Sequence, residues 1–183
     1  MDLPEFLEII KSPGITKKTF LTANFGCRVN AAEINLLSQI LVDSGFVPTS
    51  TDPGIILVNT CSVTKKGEKE SLGKARSYHL QYPDAAILVT GCARLKKLSG
   101  IPNIFLFDNS DKEKIIADLN CAYTPKILDK FSHTHRYLLK IQSGCTQFCS
   151  YCTVPYQRQY LWSLPIDKAV GTVQKIIGEG YKE

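Results

Sequence analysis

Histidine is scarce in this sequence, with three residues among 183, and methionine and tryptophan occur once each. His79, His133 and His135 stand away from every cysteine along the chain, so a mixed Cys/His zinc site has little local support. No apolar run approaches the roughly 18 residues needed to cross a bilayer, which excludes a spanning helix. The opening MDLPEFLEIIK carries Asp2, Glu5 and Glu8 where an export signal would be cationic and then apolar. Together these features predict a soluble, cytoplasmic protein with no membrane partner. A GxGxxG fingerprint, a Walker loop, an HExxH helix and a nucleophile elbow are all missing, and with them the usual nucleotide-binding and hydrolase readings. Neither a fixed-period repeat nor a low-complexity tract is present, and a composition of 44% hydrophobic and 21% charged residues excludes disorder and coiled coil. Lys plus Arg number 22 against 17 Asp plus Glu, a net charge of +5. That tolerates a polyanionic partner but falls short of a dedicated nucleic-acid binder.

What the chain does have is cysteine, seven residues of it. In a reducing compartment an odd number of thiols argues against a disulfide framework and for metal or redox chemistry. With histidine so sparse, thiolates alone must carry any metal.

The organisation reads as two units. Residues 1–15 hold Pro4, Pro13 and Gly14 and predict a short helix and a break, an amino-terminal extension. Strands are predicted at Lys18 to Ala23, Gly54 to Asn59, Ala86 to Thr90 and Ile104 to Phe107. They alternate with helices at Ala31 to Val42, Lys65 to Leu80 and Lys112 to Leu119, Gly45 closing the first. Short, continuously apolar strands between helices predict a parallel sheet in a doubly wound α/β domain over residues 16–125. Residues 126–135 are polar and mixed, a linker. A second unit over 136–183 is predicted as a strand at Arg136 to Gln142, a cysteine loop, and a helix from Ile166 to Ile177.

The loop QSGCTQFCSYCTVPY places Cys145, Cys149 and Cys152 in a Cys-x3-Cys-x2-Cys arrangement directly after the predicted strand. Three thiolates so close together can wrap one compact centre, with Gly144 letting the backbone curl. Structural zinc wants four ligands and no fourth follows nearby, whereas a 4Fe-4S cluster held by three cysteines leaves one iron open. The spacing, with Tyr151 just before the last cysteine, resembles the signature of the radical S-adenosylmethionine (SAM) enzymes. The resemblance implies that the open iron of this cluster binds SAM and that Tyr151 lies near its adenine.

Cys27 in NFGCRVN, Cys61 in VNTCSVT and Cys92 in VTGCAR each follow a predicted strand. In a parallel sheet all three fall on the carboxyl edge, where open α/β sheets place ligands, and helices starting after them would aim amide N–H groups at the site. A second cluster on Cys27, Cys61 and Cys92 is therefore expected, against the alternative of three ordinary buried thiols. These flanks resemble the amino-terminal domain of the methylthiotransferases, a radical SAM branch, over nearly the whole chain. FGCRVN followed by NTCSVT looks most like the branch acting on threonylcarbamoyladenosine in tRNA, with the isopentenyladenosine and ribosomal-protein branches as alternatives. The resemblance implies two 4Fe-4S clusters and SAM as cofactors, tRNA as substrate and an external electron donor. The product it implies is an N6-modified adenosine beside the anticodon that carries a methylthio group on C2.

Two departures stand beside it. Residues 136–183 are far short of the about 250 that a complete (β/α) barrel takes, so the chain reads as carboxyl-terminally truncated, its barrel supplied by a separate chain or absent. The helix at 166–177 would then expose apolar surface and predict self-association or a partner. After Cys152 only Arg158, Ser163 and Pro165 fit the family's usual Arg/Gly-rich stretch before Ser-x-Pro. Cys121 has no partner in this scheme and reads as a core thiol near a helix end. Lys65, Lys66, Lys69, Lys74, Arg76, Arg94, Lys96 and Lys97 form two basic runs, read as a solvated helix face rather than a phosphate track. The competing class is a non-catalytic electron-transfer or zinc-binding module built from the same cysteines.

Overall fold

A computed structural model describes the backbone of residues 3–122 and 136–183 and the side chains of 4–117 and 136–183. Five parallel strands form one sheet: β1 (Thr19–Asn24), β2 (Val47–Pro48), β3 (Ile55–Thr60), β4 (Ala86–Gly91) and β5 (Ile104–Leu106), in the order β2-β1-β3-β4-β5. The sheet grows one way from β1 to β2 and the other way from β3 onward, so its direction switches between β1 and β3. Ligands of open α/β sheets sit at such a reversal.

The central strands are buried on both faces because their residues alternate between two cores. Ile55, Leu57 and Leu88 join Phe6 and Ile10 of α1 (Leu3–Lys11), Ile34, Leu37 and Leu41 of α2 (Arg28–Asp43) and Ile115 of α4 (Asn109–Ala122). Ile56, Val58, Ile87 and Val89 join Leu72, Ala75 and Tyr78 of α3 (Lys65–Gln81), and Leu98 of the 3-10 turn Leu95–Leu98. This is the period-two side-chain alternation of a strand covered on both sides, and the doubly wound α/β class is observed. Gly45 follows the α2 cap with φ of 84°, where a helix stop favours glycine.

Several expectations shift. The α2 helix starts at Arg28, three residues before the apolar pattern begins, with Cys27 as its N-cap. Val47–Pro48 pairs with β1 as an unforeseen edge strand, too short for alternation to reveal. No α-helix follows Cys92 directly: only the 3-10 turn intervenes before β5, and α4 comes after that strand. The strand expected over Arg136–Gln142 forms only as β6 (Gln142–Ser143), antiparallel to β7 (Trp162–Ser163). Among the described residues the stretch before it has isolated bonds, Tyr137 N–H to Glu183 O and Leu164 N–H to Ile141 O, instead of a ladder. A one-turn helix α5 (Val154–Gln157) and α6 (Ile166–Gly178) complete the second unit. The expected linker lies outside the described residues, as does the side chain of Cys121. No helix among the described residues is long and apolar enough to cross a membrane.

Candidate metal centre

Free cysteine is ordinarily among the most buried of residues. Here the reverse holds: Cys27 is exposed and Cys61, Cys92, Cys145, Cys149 and Cys152 are half-buried, all as free thiols. The strands that carry Cys61 and Cys92 are meanwhile buried throughout. Core filling therefore does not account for these six positions.

Cys27, Cys61 and Cys92 hang from β1, β3 and β4, the three neighbouring strands at the middle of the sheet. Register aligns Asn24 with Asn59 and Thr60 with Gly91, so Cys61 and Cys92 leave the sheet side by side. Their loops are stitched together by polar groups. Asn30 Nδ2 donates to Asn59 Oδ1 (3.2 Å) and Thr60 O (3.0 Å), and Asn59 Nδ2 returns a bond to Asn30 O (2.9 Å). Cys92 N–H donates to Thr60 O (3.2 Å), and Ala93 N–H donates to Thr60 Oγ1 (3.2 Å). Gly91 makes this crossing possible: at φ of 109° a Cβ would sit 2.4 Å from Thr60 O and 2.5 Å from Thr60 N. The first turn of α2 begins at Cys27, and that of α3 lies against Cys61, whose Sγ would be 3.7 Å from a Cβ at Gly67. Two helix N-termini thus meet the edge, the ends that favour negative charge.

The second trio sits on one loop. Gly144 turns it at φ of 76°, where a Cβ would meet Leu161 Cδ2 at 2.6 Å and two backbone oxygens at 2.9 Å. Phe148 adopts φ of 47°, a left-handed conformation costly for an aromatic residue, immediately before Cys149. Gln147 N–H points at Cys145 Sγ (3.5 Å) and Cys152 N–H bonds Cys149 O (2.9 Å). Tyr151 stands in solvent at 89% exposure, and Phe148 packs edge-on against Tyr156 beside it.

A buried ionic network, absent from the sequence-based reading, joins the two units. Glu33 of α2 and Glu113 of α4 are fully buried and grip Lys112 of α4 and Lys140 and Arg158 of the second unit. Arg158 binds Glu33 and Glu113, the latter at 2.6 Å, and its Nη2 donates to Asn30 Oδ1 at 3.1 Å. Burial by itself would push the Glu33 carboxyl up; Lys112, Lys140 and Arg158 overcome it and hold it well below the usual carboxylate range. Burial likewise pulls Lys112 down, against the attraction of Glu33. For Arg158 burial is outweighed by its bonds to Glu33, and its charge is held firmly. Only Arg158 drew attention in the sequence, as a family position. The usable signal was Asn30 and Glu33 falling on the same helical stripe as Leu37 and Leu41, polar side chains where apolar ones belong.

Does this edge fit an anionic cluster? Three buried basic side chains, Lys112, Lys140 and Arg158, face two buried carboxylates beside it. Among the described residues no three His, Cys, Asp or Glu side chains converge closely enough to hold a single metal ion. A polynuclear cluster ligated at separate corners asks for thiols set further apart than one ion does. The all-thiol donor set, accessible sulfurs and helix N-termini suit such a group. The basic runs pair locally, Arg94 (3.4 Å) and Lys97 (3.2 Å) with Glu68 and Lys66 (3.8 Å) with Glu70, in keeping with a solvated face.

Residues 19–104 match the family model described as uncharacterized protein family UPF0004. The chain is 28% identical to the threonylcarbamoyladenosine tRNA methylthiotransferase MtaB of Chlamydia pneumoniae, over 91% of this chain and 42% of the relative. It is 28% identical to the protein of that name from Bacillus subtilis, over 86% and 40%. To the tRNA-2-methylthio-N(6)-dimethylallyladenosine synthase of Desulforamulus reducens it is 27% identical, over 91% and 42%. The resemblance read from the cysteine flanks is borne out, and the chain spans about two fifths of the length of these relatives.

Proposed function

We propose that this chain, which carries the UPF0004 domain at residues 19–104 and is related to tRNA methylthiotransferases, serves in adding a methylthio group to C2 of an N6-modified adenosine in tRNA. Threonylcarbamoyladenosine beside the anticodon is the favoured target, since the relatives from Chlamydia pneumoniae and Bacillus subtilis carry that nucleoside in their names. In this reading residues 16–125 are the methylthiotransferase domain and residues 136–183 the start of a radical SAM domain. Cys27, Cys61 and Cys92 hold one 4Fe-4S cluster and Cys145, Cys149 and Cys152 a second. SAM is the cosubstrate at the second site with Tyr151 near its adenine, and electrons come from an external donor. Bound there, the clusters and SAM would supply the electron-transfer and sulfur chemistry that side chains lack.

The chain's own residues do the positioning. The sheet fixes the first trio at its direction switch. The buried network holds the cysteine loop against that edge, and Tyr151 offers an unobstructed ring for stacking a base. The observation that carries the reading is the placement of three cysteines, distant in sequence, at the ends of neighbouring strands, each accessible where free cysteine is ordinarily buried. Anaerobic reconstitution tests it: about eight irons bind per chain, falling to about four when either trio becomes alanine. A chain that takes up zinc alone, or no metal, overturns the reading. For the substrate, deleting the gene removes the methylthio group from threonylcarbamoyladenosine in cellular tRNA. Its loss from isopentenyladenosine instead assigns the other branch, and unchanged tRNA nucleosides refute a tRNA role.

A further inference from the structure

Asn109 opens α4 and is 6% exposed, in a half-open cavity of about 280 Å³ that Cys92, Tyr156 and Gln157 also line. Both protons of its amide nitrogen are committed: Nδ2 donates to Cys92 Sγ at 3.3 Å and to the main-chain oxygen of Gln157 at 2.8 Å. Its Oδ1 is buried with no hydrogen-bond partner among the described residues. The assignment of nitrogen and oxygen is forced by chemistry. A flipped amide would set its oxygen 2.8 Å from the main-chain oxygen of Gln157, two acceptors with no proton between them.

Gln157 is itself held by its neighbour in the chain. Arg158 is locked to Glu33, Glu113 and Asn30 inside the ionic network, and α5 ends there. The second unit therefore reaches Cys92 through two bonds: the carbonyl of Gln157 orients the Asn109 amide, and the amide points at the sulfur. The contact at Cys27 is of another kind. Asn30 Oδ1 accepts from the Cys27 thiol at 3.4 Å, a bond that ends once the sulfur gives up its proton to bind metal. The Asn109 bond is made from the donor side, so it survives deprotonation and strengthens against a thiolate.

We infer that Asn109 is a positioning residue that tunes the reduction potential of a cluster on Cys27, Cys61 and Cys92, and that the docked second unit sets this tuning through the Gln157 carbonyl. The inference rests on the reading that this trio holds a cluster. A donor to a ligand sulfur stabilises the form with more negative charge on sulfur, which is the reduced one, and so raises the potential.

The test uses the full chain with Cys145, Cys149 and Cys152 replaced by alanine, reconstituted without oxygen and titrated against potential by electron paramagnetic resonance. Asn109→Leu removes the donor at similar size and lowers the midpoint, the reduced form losing up to about tenfold in relative stability, or about 59 mV for one electron. Asn109→Ser keeps a hydroxyl donor and recovers most of the shift, which a merely structural role would not predict. Arg158→Lys keeps the charge but loses the fork that anchors Gln157; it shifts the midpoint the same way by less, and adds nothing in the Asn109→Leu background. A fully loaded Asn109→Leu protein with an unchanged midpoint overturns the inference and leaves the cluster reading intact. Failure of the parent chain to load iron refutes the cluster reading itself and the inference with it.

Discussion

Cys27, Cys61 and Cys92 hang from the ends of three hydrogen-bonded strands, whereas Cys145, Cys149 and Cys152 ride on one loop between strands of two residues each. The first site is assembled by long-range pairing and is as rigid as the sheet, with wholly buried β3 and β4 beneath it. The second is assembled locally, by a glycine and a left-handed phenylalanine, and is held in place by Lys140 and Arg158, which are drawn into the first domain. A site on rigid elements is set by the fold; a site on a loop is set by whatever anchors the loop. The network is that anchor, and breaking it separates the two sites.

The largest stability effect is expected at Arg158. Arg158→Met leaves Glu33 and Glu113 short of a buried partner and costs roughly 3–5 kcal/mol, read as a fall in unfolding free energy by denaturant titration. Iron at the second trio falls more than iron at the first, because the loop loses its anchor while the sheet keeps its own. Equal loss from both trios contradicts the contrast between a fold-set and an anchored site.

The glycines sharpen the comparison at smaller scale. Gly91→Ala forces a Cβ to within 2.4 Å of the Thr60 backbone, which has nowhere to go, while Gly144→Ala first meets the tip of the Leu161 side chain. Both positions have positive φ, so each substitution costs about 1–3 kcal/mol, with Gly91 the more expensive. Gly91→Ala should deplete iron from the first trio alone, and Gly144→Ala from the second alone. Iron analysis in backgrounds lacking the other trio reads this directly.

Acid gives the smallest and most graded effect. The Glu33 carboxyl is held below its ordinary value of 4.5 by its three cations. The stability it contributes is therefore present above pH 4.5 and lost as pH falls below it, since the unfolded chain takes up the proton first. Thermal unfolding of the metal-free chain should show a falling midpoint on that acid side. Glu33→Gln, less stable at neutral pH, should show a shallower decline over the same range; parallel profiles would remove Glu33 from the account.

Much of the fold was legible because its signals are local. GIILVN and AILVT read as strands buried on both faces, and β3 and β4 are such strands; the 3.6-residue stripe of Ile34, Leu37 and Leu41 gave the body of α2. The start of α2 was not legible, since Arg28 to Asn30 carry no apolar repeat and Cys27 makes no side-chain cap bond. Arg136 to Gln142 read as a strand from composition, but a strand needs a neighbour, and β7 offers only two residues to pair with. The basic runs are exposed, as a solvated face requires, and Lys66, Arg94 and Lys97 pair with Glu70 and Glu68. Glu33, Glu113, Lys112, Lys140 and Asn109 were passed over, each an unremarkable polar residue in its own segment.

By itself, then, the sequence determined the α/β alternation and the placement of three cysteines after three strands, because side-chain period and residue spacing are properties of neighbouring residues. Tertiary structure alone decided that those strands lie side by side at the direction switch. It also decided that Arg158 closes on Glu33 and Asn30, 125 and 128 residues away, and that Lys140 closes on Glu33 across 107. Opposite charges so far apart along the chain leave no periodic trace. They find one another only when apolar burial has brought the helices and the cysteine loop together and made an unpaired charge there too costly to leave.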